Sequence, residues 1–74
     1  MLLHSIEGLL NGFNDEHGCN EAMYNAVYAI IEQVIGPQAS LGFSNAVKCS
    51  EGRYYLPKNI SARELFVDMI NVSV

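Results

Sequence analysis

The segment from Glu21 to Ile35 constrains this chain more than any other feature. Met23, Tyr24, Ala26, Val27, Tyr28, Ile30, Ile31, Val34 and Ile35 leave only a narrow polar stripe at Glu21, Asn25, Glu32 and Gln33. A helix that is apolar nearly all round has to be covered on more than one side. The segment therefore forms the centre of the core or the seam between two copies. Its ends are well marked. Asn20 is a preferred N-cap, and Glu21 puts a carboxylate in the first turn, where the helix dipole favours it. Gly36-Pro37 ends it, because glycine closes helices and proline cannot continue one.

The rest of the chain must supply the cover. Leu2, Leu3, Ile6, Leu9, Leu10 and Phe13 recur at helical spacing, with His4, Glu7 and Asn11 opposite, so a first helix is predicted over residues 1–13. Residues 14–20 read as a polar loop. From Ser40 the pattern alternates. Leu41, Phe43, Val47 and Cys49 fall on one side, and Ser40, Gly42, Ser44, Ala46 and Lys48 on the other. That predicts a strand, with a bulge where Asn45 interrupts it. Ser50-Glu51-Gly52 is a turn in which Gly52 supplies a positive φ, and Arg53 to Leu56 is the returning strand, ended by Pro57. Ser61-Ala62-Arg63-Glu64 is a capping box, flanked by Ile60 and Leu65 as a hydrophobic staple. Ala62, Leu65, Phe66, Met69 and Ile70 then line one face of a last helix. The expected fold is α+β, in the order α-α-β-β-α, as a single small globular domain over residues 1–74.

A chain of 74 residues buries a modest share of its surface and needs help to be stable. Cys19 and Cys49 allow at most one disulfide, so self-association is the expected help, and a homodimer is the expected form. The first residues lack the basic start and the long apolar run of a secretory signal. The longest apolar run, Val27 to Ile31, is too short to span a bilayer. The expected location is the cytoplasm of the producing or infected host cell.

Catalytic chemistry finds little support. Asp15, His17, Cys19 and Cys49 are residue types that bind zinc, but no close Cys-x-x-Cys or His-x-x-x-His pair anchors them. Cys19 precedes a helix and lies near His17, which hints at an activated thiol. Glu16 and Glu21 oppose thiolate formation there, and nothing supplies an orienting group or an oxyanion hole. No glycine pattern matches a phosphate loop. No enzyme activity, cofactor or metal is expected.

Charge is more informative. Residues 1–37 contain no lysine or arginine, and their net charge is −5; the remainder carries +1, together the −4 of the whole chain. All four basic residues, Lys48, Arg53, Lys58 and Arg63, surround Tyr54 and Tyr55. Tyr and Arg are frequent interface anchors, so these six residues are the candidate protein-binding surface. One of the adjacent tyrosines must face the core if residues 53–56 form a strand. The same stretch could track a nucleic-acid backbone, although four cations in an acidic chain are few for it. The sequence thus suggests a non-catalytic binding protein, an inhibitor or adaptor that occludes a protein partner, in the manner of small phage or mobile-element accessory proteins. A nucleic-acid-binding regulator is the alternative, and a minimal thiol or metal protein the third.

Overall fold

Capping side chains set where two of the helices begin, at Asn20 and Ser61. In the computed structural model, which describes residues 3–73, α1 spans His4–Asn11 and runs into a 3-10 turn at Gly12–Asn14. The part of the first predicted helix at residues 1–2, including Leu2, lies outside the described residues. α2 spans Glu21–Val34, and the Asn20 side chain accepts the Met23 amide at 2.8 Å, the cap expected there. Ile35 and Gly36 close it by donating their amides to the Ile31 carbonyl.

Pro37 both stops α2 and starts another helix. Residues Pro37–Ala46 form α3, with proline in the first turn, where its missing amide costs nothing. This differs from the strand predicted from Ser40. The alternation of Ser40, Gly42 and Ser44 with apolar neighbours is real, but Ala39, Ser40 and Phe43 are the residues that bury, and they share a helical stripe. Leu41, which a strand would place beside Phe43, is 52% exposed. Asn45 lies in the helix, so no bulge forms there. The buried Ser40 hydroxyl is satisfied by donating to the Pro37 carbonyl at 3.0 Å.

Among the described residues the two strands are Lys48–Ser50 (β1) and Arg53–Tyr55 (β2), paired antiparallel. Glu51 (φ 53°) and Gly52 (φ 76°) both take the left-handed conformation of a two-residue hairpin turn. α4 spans Ala62–Val72, and the Ser61 hydroxyl accepts the Glu64 amide at 3.0 Å, as the capping box requires. Asn14 fastens α4 to the far end of α1: its side-chain amide donates to Ile60 O at 3.1 Å and its oxygen accepts the Ala62 amide at 2.9 Å. The fold is α+β, with four α-helices and one hairpin among the described residues, in the order helix, helix, helix, hairpin, helix.

One apolar cluster holds these elements. Ile6 and Leu10 of α1, Phe13, Val27 and Ile31 of α2, Phe43 of α3, Leu56, and Leu65 and Met69 of α4 meet there. Phe13 and Phe43 pack edge to face at 5.3 Å, and Tyr24 stacks on Phe43 at 5.5 Å. α2 is covered on one side and leaves Met23 and Val34 more than two-fifths exposed. Among the described residues no helix is long and apolar enough to cross a membrane.

Candidate functional site

Hairpin register decides which of the candidate residues share a surface. Lys48 pairs with Tyr55 and Ser50 with Arg53, so these four side chains stand on one face of the two strands. Cys49 pairs with Tyr54 on the other face. Tyr54 is therefore the inward tyrosine. Its ring stacks on Tyr24 of α2 at 4.4 Å, with the planes 12° apart, and Tyr24 in turn bonds its hydroxyl to Ser44 Oγ at 2.9 Å. Tyr55 looks the other way, into a shallow open hollow that it lines with Arg53, Ser50, Glu51, Glu16 and His17.

The 15–19 loop closes one side of this hollow by joining the sheet. Cys19 donates its amide to Tyr54 O at 2.7 Å and accepts the Tyr54 amide at 2.8 Å, so the loop adds a one-residue edge to β2. Gly18 makes the approach possible with φ 64°. Arg53 locks the arrangement: its Nε donates to His17 O at 3.0 Å and a terminal nitrogen to Gly18 O at 3.2 Å. The guanidinium is exposed yet held in one orientation.

The six candidate residues thus divide. Lys48, Arg53 and Tyr55 share the outward hairpin face. Tyr54 belongs to the aromatic stack. Lys58 is exposed on the link between β2 and α4. Arg63 stands in the first turn of α4 and reaches 3.8 Å from the half-buried Glu7 on α1, a long contact at the surface of small energetic value. Two of the four basic side chains are therefore engaged with the acidic half of the same chain.

The thiols are kept apart. Cys19 and Cys49 flank Tyr54 on opposite sides, so their Cα atoms are about 10 Å apart by strand spacing, beyond the span of a disulfide. Both are free. Burial pushes the Cys19 thiol pKa up, Arg53 pulls it down less strongly, and Asp15 adds to the rise. Cys19 is thus held as a thiol at neutral pH. Cys49 is exposed. Iodoacetamide at pH 7.5 is expected to alkylate Cys49 well before Cys19, as read by peptide mass spectrometry; faster labelling of Cys19 would revive an activated thiol. Among the described residues no three His, Cys, Asp or Glu side chains gather closely enough to hold a metal ion.

A second concave surface exists because residues Pro37–Ala46 form a helix rather than the expected strand. Gln38, Leu41, Gly42, Asn45 and Ala46 form one helical stripe of α3, and Glu64, Leu65, Asp68, Met69 and Val72 form another on α4. The groove between them is about 520 Å³ and its walls are mostly apolar.

The hairpin face brings together an aromatic ring, a held guanidinium, an ammonium, the His17 imidazole and two neighbouring carboxylates. No family model matches the chain, and no curated protein and no solved structure matches it.

Proposed function

We propose that the protein is a non-catalytic binding protein, an inhibitor or adaptor that acts in the cytoplasm by covering a functional surface of a partner protein. One observation carries this reading: Arg53 is exposed but pinned by the His17 and Gly18 carbonyls, beside Tyr55 on the same face. Ordering a long side chain on binding costs about 0.5–1.5 kcal/mol, and a guanidinium already held in place avoids most of that cost. Glu16 and Glu51 beside it favour a protein surface of mixed charge over a phosphate backbone.

The test uses residues outside the buried apolar cluster. Lys48→Glu with Tyr55→Ala should abolish partner capture from the producing cell while circular dichroism and melting stay close to those of the parent. Recovery of the same partner by the double variant would show the surface to be wrong. Salt-sensitive retention on DNA or heparin, with no protein captured, would favour the nucleic-acid alternative. We also propose that the protein is a homodimer joined through the outer side of α2, where Met23 and Val34 are exposed. Sedimentation as a monomer at high micromolar concentration would remove that part.

A further inference from the structure

α3 carries a glycine that its own fold does not require. Gly42 sits in the middle of the helix, where glycine is the least favourable residue after proline. A Cβ added to it would meet no atom within 4 Å. Gly8 in α1 is equally unobstructed, but it lines neither of the two concave surfaces. Gly42 lines the α3–α4 groove and the space beside it is open, so that room is available to something outside the monomer. Of the other lining residues, Leu41 is 52% exposed and Val72 is 57% exposed.

The chemistry of the groove narrows what that is. Its two walls are helices whose backbone groups are already paired, so it presents side chains and few hydrogen-bonding partners. An extended segment laid there would leave its own amides unpaired, whereas a helix brings its backbone satisfied. The length agrees: ten residues of α3 span about 15 Å, matching two to three turns. The only charged residues of the lining are acidic, Glu64 and Asp68, one turn apart on α4, and neither is in an ion pair among the described residues. A second copy of this chain is a poor occupant. The one lysine or arginine on any of its helices is Arg63, which is already beside Glu7.

We infer that the α3–α4 groove receives an amphipathic helix from a partner protein, its apolar side seated over Gly42 and its flanking lysine or arginine side chains facing Glu64 and Asp68. This surface is separate from the hairpin face and is independent of the reading proposed for it.

Synthetic helical peptides test it. Two share one apolar stripe at i, i+3, i+4 and i+7; one is flanked by lysine and the other by glutamate, and binding to the full chain is followed by fluorescence anisotropy. The lysine peptide should bind at least about tenfold more tightly, a difference of 1.4 kcal/mol. Gly42→Leu should weaken it by a similar factor, with helicity kept, and Gly42→Ala controls for the change of helix propensity. Glu64→Lys with Asp68→Lys should reverse the preference between the peptides, and this decides the matter should Gly42→Leu not fold. Lys48→Glu with Tyr55→Ala should leave peptide binding unchanged, which separates this site from the hairpin face. Equal binding of the two peptides, or full binding by a folded Gly42→Leu variant, overturns the inference. So does a dimer that Gly42→Leu dissociates, since a second copy would then be the occupant.

Discussion

Replacing Phe43 with alanine is expected to destabilise the domain by about 3–5 kcal/mol, the usual cost of emptying a buried aromatic site. Phe43 is fully buried and touches two other rings: Phe13 edge to face and Tyr24 in a stack. At a general 0.05–0.15 kcal/mol per residue, a chain of 74 residues has roughly 4–11 kcal/mol in all. The substitution therefore consumes much or all of the stability. Leu41→Ala, two residues away, should cost less than about 0.5 kcal/mol, as exposed positions do. Urea titrations of the two variants measure the contrast directly. A strand over residues 40–47 would place both side chains in the core and make both substitutions costly. Comparable losses for the two would overturn the assignment of α3.

That contrast also shows why part of the fold was legible in the sequence and part was not. Caps are local chemistry. Asn20 and Ser61 each accept an amide three residues on, and both were readable from residue type alone. The turn at Glu51-Gly52 was readable for the same reason. Residues 37–46 were not, because two periods coexist there. Apolar and small polar residues alternate, while Ala39, Phe43 and Ala46 also recur at helical spacing. Proline at the start decides for the helix, and its role as a stop signal for α2 hid its role as a start signal for α3.

The candidate site divided along the same line. That Arg53 and Tyr55 lie close together follows from composition and spacing. Which tyrosine faces inward does not, since alternation fixes that the two differ and only register and packing fix which is which. Tyr54 turns inward because Tyr24, on a helix far away in sequence, offers it a parallel ring. The pairing of Cys19 with Tyr54 joins a loop to a strand across 35 residues, and no local pattern announces such a contact. The confinement of basic residues to positions 48–63 suggests a binding surface. In the folded chain Arg53 is a clamp and Arg63 an ion-pair partner, so half of that charge serves the domain itself.

Gly18→Ala is expected to be the most damaging change of a single methyl group. At φ 64° the residue has a backbone that side chains rarely adopt, and the new Cβ would fall on the Tyr54 carbonyl oxygen. The Tyr54 carbonyl carbon at 2.9 Å and Tyr55 Cβ at 3.1 Å block any small adjustment. The crowding atoms belong mostly to the strand backbone, so the loop rather than a side chain must give way. Its displacement breaks both hydrogen bonds between Cys19 and Tyr54, each worth about 0.5–1.5 kcal/mol net, and adds the strain of a left-handed alanine, about 1–2 kcal/mol. Together these come to about 2–5 kcal/mol. Gly52→Ala is the matched control: its φ is 76°, nothing lies within 4 Å of its Cβ position, and it should lose the strain alone. Hydrogen exchange at the Cys19 and Tyr54 amides reads the mechanism, with protection lost in Gly18→Ala and kept in Gly52→Ala. The same displacement removes the two carbonyls that hold Arg53. If the hairpin face is the binding surface, Gly18→Ala should weaken partner capture through the freed guanidinium, at a temperature where the variant is still folded. Equal stability and equal exchange in the two glycine variants would mean that the loop does not dock on the strand, and the pinned arginine would lose its basis with it.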